Sequence, residues 1–254
     1  IISRLADKEA SGNISMEQPC NFDANNLAEA IMLLDWSDDT CNELRCLGNR
    51  NLGWKHATIS GYFTDPGLMI DAAAKWSGRV EGVYVVLNPP IRRLLARSAN
   101  RLNPYAKHTT KDSEVARRRW LFVDLDPTRP AGLSSTDEEH ERAVQCARRI
   151  FDDLHARDPG KRLVLASSGN GGHILAEFNY PNDDTATARA QHVLVAIANQ
   201  FSDLLTHNGI ELDTTTHNAA RLCKLYGTMA CKGDPIDGNV HRLSRILEDT
   251  DVRG

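Results

Sequence analysis

The stretch LFVDLDPTRP, Leu121 to Pro130, combines the pattern of a short apolar strand with two acidic residues. In an extended strand, residues two apart project to the same face, which places Asp124 and Asp126 side by side about 6.5 Å apart. Val123 and Leu125 then occupy the opposite face. Because carboxylates are costly to bury without compensation, this pair predicts a cation near the end of the strand.

The composition is that of an ordinary globular protein. The chain has 254 residues, of which 41% are hydrophobic and 25% charged, a size that suits one large domain or two closely packed modules. No stretch approaches the ~20 apolar residues of a membrane-spanning helix, so no membrane partner is expected. Six cysteines without a C-x-x-C pair, and no basic-then-apolar leader, favour reduced thiols in a cytoplasmic protein.

Basic residues are concentrated just before the acidic strand. The net charge of −4 taken alone argues against a nucleic-acid partner, but the distribution of charge matters more than its sum. Between residues 92 and 119 only Asp112 and Glu114 are acidic, while the basic residues are Arg92, Arg93, Arg97, Arg101, Lys107, Lys111, Arg117, Arg118 and Arg119. The run predicts a surface that faces phosphates, with a solvated basic face as the alternative.

The first part of the chain has the pattern of a small α/β module that follows an N-terminal arm, residues 1–23. Residues 35–54 are expected to form a loop because glycine and asparagine recur there. The other expected elements are a helix capped by Asn25 or Asn26, a strand at His56–Phe63, a helix opened by Asp65 and Pro66, a strand at Val83–Leu87 and a short helix from Ile91.

The second part of the chain shows a clearer alternation of strands and helices. The acidic strand at about residues 120–126 precedes a helix that begins at a capping box of Ser135 and Glu138. The later elements are strands at Arg162–Ser168 and His173–Phe178 around a glycine turn, a long helix that ends at Asn208 and Gly209, and a last strand at Leu222–Tyr226. The order β-α-β-β-α-β is the split unit that RNA-recognition modules also use.

This topology predicts which residues meet at one edge of the sheet. In the usual 4-1-3-2 antiparallel order, the end of the first strand lies beside the starts of the third and fourth strands. Asp124 and Asp126 end the first strand, His173 begins the third, and Asp213 lies in the approach to the fourth. We therefore expect these four side chains to form one site.

The carboxylates at this edge would suit hard divalent cations. Asp124, Asp126 and Asp213 offer oxygen ligands of the kind that Mg²⁺ or Mn²⁺ prefers. Two such ions about 3.5–4 Å apart would clamp the attacking and leaving oxygens of an in-line phosphoryl displacement. A lone D-x-D is common and an isolated aspartate is more often a helix cap, so only the combination favours a metal site.

Groups that bind phosphate surround the carboxylates. The turn at residues 168–171 can direct backbone N–H groups at an anion, although a glycine turn of this kind is more often a simple hairpin. His173 can donate a hydrogen bond to the same anion, and Arg221, Lys224 and Lys232 add positive charge around Asp213.

Five segments resemble the archaeo-eukaryotic primase (AEP) superfamily. They are VYVVLNPP, RRRWLFVDLDPTRPAGLSSTDEE, SSGNGGHI, ELDTTTHNAARLCKLYGTMACKGD and VHRLSRIL, which occur in the superfamily's order between about residues 57 and 247. The nearest resemblance is to bacterial, plasmid and phage primase-polymerases, including those associated with CRISPR loci. It implies an α+β fold with an AEP-like catalytic core, residues 24–254. In it an N-terminal α/β module (24–115) packs on an RNA-recognition-like module (116–230), which a C-terminal extension (231–254) follows.

Two motifs of the superfamily fall on the acidic residues. Its D-x-D motif falls on Asp124 and Asp126, and its third motif, an apolar residue followed by Asp, falls on Leu212 and Asp213. The resemblance implies that the three aspartates are metal ligands.

A third motif, small-x-His, falls on Gly171 and His173. It implies contact with the phosphates of an incoming nucleotide. Many members carry serine where Gly171 stands, so a serine contact would here be lost or would pass to Ser167 or Ser168. The stretch at Asn239–Arg242 is usually more basic and contains proline.

The resemblance implies an enzyme, a DNA primase-polymerase that makes primers de novo on single-stranded DNA, can extend them, and releases pyrophosphate. Its catalytic and metal-binding residues would be Asp124, Asp126 and Asp213, with Mg²⁺ or Mn²⁺ as cofactor. The nucleotide-binding residues would be Ser168, Gly169, Asn170, Gly171, His173, Arg221, Lys224 and Lys232, and the nucleic-acid-binding residues Arg92, Arg93, Arg97 and Arg118. Other implied partners are dNTP or NTP, a primer strand, and helicase or CRISPR adaptation proteins.

Other functions on a similar sheet are weighed against this one. A non-catalytic single-stranded nucleic-acid-binding module would stack bases on Phe122 and Phe178, but its acidic edge would repel phosphate without metal. A rolling-circle replication nuclease would need an H-x-H metal site, which the nine histidines do not contain. A cyclic-nucleotide cyclase would leave the basic N-terminal module without a role.

Overall fold

The structure, a computed structural model, describes residues 21–48 and 58–251. The expected arm lies outside these ranges except for residues 21–23, as do parts of the expected loop at 35–54 and of the expected strand at 56–63. Within the described ranges no helix is both long and apolar enough to cross a membrane. The cysteines in these ranges form no disulfide bond, and all are buried.

The described helices and strands alternate along the chain. The α-helices are α1 (Ala24–Met32), α2 (Pro66–Trp76), α3 (Asp137–Arg157), α4 (Asp184–Gln200) and α5 (Ser202–Asn208), and Arg92–Arg97 and Asp112–Glu114 form 3₁₀ helices. The strands are β1 (Asn42–Leu47), β2 (Ile59–Phe63), β3 (Gly82–Val86), β4 (Arg117–Pro127), β5 (Leu163–Ser167), β6 (Gly172–Pro181), β7 (Ile210–Leu212), β8 (Leu222–Lys224), β9 (Met229–Ala230), β10 (Arg242–Leu243) and β11 (Arg245–Asp249).

The helix starts are those of capped helices, with two shifts from the expected residues. Asp65 caps α2 as predicted, with Pro66 in its first turn. Asp23, rather than Asn25 or Asn26, caps α1 by accepting a hydrogen bond from the Asn26 backbone N–H. The capping box of α3 uses Thr136 and its partner three residues on, one position after the predicted pair.

The first sheet contains four antiparallel strands in the order β2-β1-β3-β8. The expectation of a loop at residues 35–54 is wrong for its central part, because β1 lies there. Charged residues obscured the strand pattern. Glu43 is fully buried but accepts two hydrogen bonds from Arg45, at 2.7 and 2.9 Å, so the two charges compensate each other inside the sheet.

The second sheet has the order β11-β5-β6-β4-β7. Its part β7-β4-β6-β5 is the predicted 4-1-3-2 arrangement, but the prediction that Leu222–Tyr226 supplies the fourth strand is wrong. Ile210–Leu212 occupies that place, while β8 pairs with β3 in the first sheet. At the far edge β11 pairs with β5, an additional strand that the sequence pattern did not indicate. The protein is an α+β fold built on antiparallel sheets, as expected.

Two hydrophobic cores lie on opposite faces of the second sheet. Strand β4 supplies both, because its successive side chains alternate between faces. Trp120 and Phe122 enter a core shared with α1, α2 and the first sheet, whereas Val123 and Leu125 enter a core shared with α3 and α4. The two aspartates of β4 continue the row of Trp120 and Phe122, so they face the first sheet.

Candidate active site

Asp124 and Asp126 line a cavity of about 500 Å³ whose walls come from both sheets. The side chain of Asp124 is 20% exposed and that of Asp126 is 51% exposed, so both can reach a ligand that enters the cavity. The other lining residues are Glu81, Tyr84, Phe122, Arg129, Ser168, Asn170, His173, Asn218, Ala220, Arg221, Leu222, Lys224, Ala230 and Lys232.

His173 lies directly opposite Asp124 in the register of β4 and β6. Its Nε2 lies 3.2 Å from Asp124 Oδ1, and its Nδ1 lies 3.0 Å from the hydroxyl of Tyr226. Burial alone would lower the pKa of His173, but the hydrogen bond and the charge of Asp124 raise the pKa to about 10. A cationic imidazole with both nitrogens engaged orients Asp124, and it could contact a phosphate only by exchanging one of these partners.

Asp213 is brought to Asp124 through the backbone. Strand β7 pairs Leu212 with Leu125, and the Asp213 N–H donates to the carbonyl of Asp124 at 3.0 Å. The Asp213 carboxylate accepts hydrogen bonds from Thr215 and from Arg221. Burial raises the pKa of Asp213, but these contacts outweigh it and hold the pKa below its usual range.

Arg221 links the acidic residues. Its Nη2 lies 2.7 Å from Asp213 Oδ2 and 3.9 Å from Asp124 Oδ2. No three histidine, cysteine or acidic side chains of the described ranges are arranged to hold a metal ion. Asp124 and Asp126 have the hard oxygen donors that suit Mg²⁺ or Mn²⁺, whereas the carboxylate of Asp213 is engaged by Arg221.

The turn between β5 and β6 differs from the predicted anion cradle. The N–H groups of Asn170 and Gly171 donate to the hydroxyl of Ser168, and that of Gly169 donates to Ser167. These donors are therefore satisfied within the turn. Of the turn residues, Ser168 and Asn170 line the cavity.

Gly171 is required by the close approach of two strands. A Cβ atom at this position would lie 2.2 Å from the carbonyl oxygen of Leu125 and 2.7 Å from Oδ1 of Asp126. A serine could not be placed here without moving the backbone of β4. Ser168, which lines the cavity, is therefore the better placed of the two serines suggested from the sequence.

The basic residues predicted around the acids line the same cavity. Lys224 is buried, and its Nζ donates to the carbonyl of Met229 at 2.7 Å and lies 5.4 Å from the ring centroid of Tyr84. Burial lowers the pKa of Lys224 to about 7. Arg221 and Lys232 also line it, so the expected basic residues do converge on one cavity.

Four residues near the acids were not identified from the sequence. Tyr84 and Glu81 reach the cavity from the first sheet, and Tyr226 contacts His173 from behind. Arg129 lies 3.4 Å from Asp126, three residues earlier in the chain. Arg129 lies within the stretch at residues 121–130 and could have been identified from its position beside the acids. The positions of the other three depend on how the two sheets pack.

The predicted nucleic-acid-binding arginines fall into different environments. Arg92 and Arg93 are exposed, and Arg97 pairs with Glu114. The prediction for Arg118 is corrected by the structure. It is 4% exposed and donates to the carbonyl of His217 and to the hydroxyl of Thr187, so its guanidinium is not available to a phosphate.

Comparisons with known proteins give structural similarities only. No family model matches the chain, and no curated protein matches it. Among solved structures, primase RepB' is 11% identical with a TM-score of 0.45, and the match covers 87% of this chain and 56% of that one. The polymerase domain of Mycobacterium tuberculosis ligase D in complex with DNA is 13% identical with a TM-score of 0.46, covering 91% and 87%.

A third similar structure is the catalytic domain of primase RepB' in complex with initiator DNA. It is 10% identical with a TM-score of 0.43, and the match covers 88% of this chain and 85% of that one. The chain spans only 56% of the first RepB' structure. Similarity at this level assigns neither an activity nor a partner to this chain.

Proposed function

We propose that this protein is a template-dependent nucleotidyltransferase, a DNA primase-polymerase that starts and extends primers on single-stranded DNA. The observation that carries the proposal is the juxtaposition, in one cavity, of Asp124 and Asp126 with the basic side chains of Arg221, Lys224 and Lys232. Transfer of a nucleotidyl group needs both kinds of side chain, because divalent ions bind the acids while the negatively charged triphosphate needs basic groups.

The aspartates of the cavity would hold the metal. Asp124 and Asp126 are the ligands that the geometry favours, and Asp213 would join them if Arg221 moved to the triphosphate. When bound, Mg²⁺ or Mn²⁺ lowers the pKa of the attacking 3′-hydroxyl and neutralises charge on the departing pyrophosphate. His173 keeps the Asp124 carboxylate oriented toward the cavity through its hydrogen bond at 3.2 Å.

The basic residues of the cavity would position the nucleotide. Arg221 and Lys232 would supply charge to the phosphates, and Lys224 adds a buried amine. Ser168 and Asn170 add short polar residues to the same lining. Tyr84 reaches the cavity from the first sheet, with its ring next to Nζ of Lys224.

The wider assignment belongs to the same proposal. We infer a catalytic domain of residues 24–254, with modules at 24–115 and 116–230, that works in the cytoplasm with single-stranded DNA, a primer strand and dNTP or NTP. A bacterial, plasmid, phage or CRISPR-associated setting, with helicase or adaptation proteins as partners, follows from the sequence resemblance alone.

Primer synthesis on a single-stranded template tests the proposal. The wild-type protein should form product with nucleotides and Mg²⁺ or Mn²⁺, and chelation should abolish it. The isosteric variants Asp124→Asn and Asp126→Asn should lose at least about 100-fold in rate, since even groups that only support metal ligands contribute up to that amount. Asp152→Asn, an exposed substitution on α3, should keep wild-type activity. Undiminished synthesis by the first two variants would refute the assignment.

A second candidate is a non-catalytic module that binds single-stranded nucleic acid. It is favoured by the ion pair of Arg221 with Asp213, which lets the acidic residues persist without a metal. This candidate predicts that DNA binding survives chelation while no product forms with any divalent ion. Metal-dependent product from the wild-type protein would exclude it.

A further inference from the structure

The basic run at residues 92–119, which ends inside β4, is divided by its tertiary contacts. Arg117 pairs with Asp35 and Asp39, and Arg119 donates to the carbonyl of Leu34. With Arg97 and Arg118 also engaged, the exposed cations of this run that form no ion pair within the described ranges are Arg92, Arg93, Arg101, Lys107 and Lys111. Three of these lie in residues 99–111, the edge loop, which contains no acidic residue.

The edge loop is held against β2 by main-chain contacts. Ser60 and Asn103 exchange backbone hydrogen bonds at 2.9 and 3.1 Å, and Ala106 N–H donates to the carbonyl of Thr58. Gly61 permits this packing, because a Cβ there would lie 1.9 Å from the carbonyl oxygen of Arg101. The main chain of the loop is thus held in place along β2.

A cavity of about 270 Å³ opens between the edge loop and β2. Tyr105 stands at this cavity with 59% of its surface exposed, although a large aromatic side chain is normally covered. Lys107 and His108 also line the cavity, as does Arg97, whose guanidinium pairs with Glu114, and no lining residue in the described ranges is acidic. An exposed ring beside a cation is the combination that binds an unpaired base and its phosphates.

We propose that this cavity binds one unpaired nucleotide of single-stranded DNA, with the base stacked on Tyr105 and the neighbouring phosphates on Lys107 and Arg101. A base within a duplex could not reach the ring, because its faces are already stacked. Strand β2 lies three strands from β8 in the first sheet, a lateral separation of about 14 Å. The single-stranded DNA would therefore be bound at a point separate from the catalytic cavity.

The inference rests on the proposed function for the kind of partner, but its test does not require catalysis. Binding of a labelled single-stranded oligodeoxynucleotide of about 16 nucleotides, near the upper end of known site sizes, is measured by fluorescence anisotropy with chelator and without nucleotide. Tyr105→Ala should weaken binding roughly 5- to 100-fold, as expected for loss of one stacked base. Tyr105→Phe should bind like wild type because the ring is kept.

A control variant and two further comparisons complete the binding test. Met32→Ala removes a side chain that is 60% exposed on α1 and should leave binding unchanged. Equal affinity of Tyr105→Ala and wild type, or equal losses in the alanine and phenylalanine variants, would overturn the proposal, as would a preference for blunt duplex. Failure of the wild type to synthesise primers would instead contradict the proposed function and leave this binding result intact.

Discussion

His173 and Asp124 show how one residue pair can set the properties of the site. The imidazole is 4% exposed and yet cationic, because the carboxylate of Asp124 outweighs the effect of burial on its pKa. Its second nitrogen contacts Tyr226, which fixes the ring. A side chain held at both ends serves to position the carboxylate that faces the cavity.

This positioning role predicts the behaviour of His173→Gln. We expect the variant to need more Mg²⁺ or Mn²⁺ for half-maximal synthesis and to lose roughly 10- to 100-fold in rate at low metal concentration. Synthesis is measured across a metal titration, with the exposed His192→Gln on α4 as control. A loss that no metal concentration reduces would contradict a positioning role.

Lys224 gives a second prediction, on stability. Burial lowers its pKa from 10.5 to about 7. Because the folded-state pKa lies below the unfolded value, the unfolded chain binds more protons between these limits, and the free energy of unfolding rises with pH across this range. Stability from this group is thus present above about pH 10.5 and lost as the pH falls to about 7.

Lys224→Met should remove this dependence. The unfolding free energy of wild type relative to the variant should rise by on the order of 2 kcal/mol between pH 7 and pH 9. Urea unfolding of both proteins at both pH values measures it, and groups that the two proteins share cancel when the variant is subtracted from wild type. A constant difference between the two proteins would show that the amine does not titrate in this range.

At the scale of elements, the contact between β4 and the turn before β6 governs the site. A methyl group at Gly171 would collide with the backbone of Leu125 and with the side chain of Asp126. The acidic strand and the glycine turn are therefore fitted to each other, and neither can shift without the other.

Gly171→Ala should destabilise the protein by roughly 1–3 kcal/mol and reduce synthesis, since overpacking at this contact displaces Asp126. Gly160→Ala is the matched control, because a Cβ there would meet only Asp158 Oδ1 at 3.7 Å, an ordinary contact. Thermal unfolding and primer synthesis are measured for both. If the two variants have equal stability and activity, the strands are less tightly fitted than the distances indicate.

For the whole molecule, the arrangement of charge matters more than the net value of −4. Several basic side chains of the run at residues 92–119 bind residues that are distant in the chain, as Arg117 of β4 binds Asp35, which follows α1. The remainder, including Arg92 and Arg93, face solvent. A phosphate backbone would meet only this remainder.

Salt dependence tests that division. Each phosphate contact on a single strand contributes about 0.7 to the slope of log affinity against log salt. The double variant Arg92→Gln, Arg93→Gln should therefore lower the magnitude of the slope by about 1.4. Arg148→Gln, which breaks a surface pair with Glu248, should leave it unchanged. An unaltered slope in the double variant would exclude these arginines from the DNA surface.

Local patterns were sufficient for much of the architecture and for the acidic pair. The alternation of Phe122, Val123 and Asp124 already places the acids on one face, and the glycine turn already makes β5 and β6 a hairpin. Both are properties of one continuous segment, whose φ/ψ preferences and side-chain period do not depend on distant residues. Pairing β4 with β6 then brings His173 to Asp124.

Only the tertiary structure decided which segment pairs with which β-strand. Ile210–Leu212 and Leu222–Lys224 both suit a strand. The first pairs with β4 at an edge of the second sheet, whereas the second pairs with β3 at an edge of the first sheet. Arg118 stands in a basic run, yet its guanidinium is buried against His217, and the turn's N–H groups bind Ser168 rather than an incoming anion. Burial and hydrogen-bond choice depend on surfaces contributed by residues far apart in the chain, and no local period encodes them.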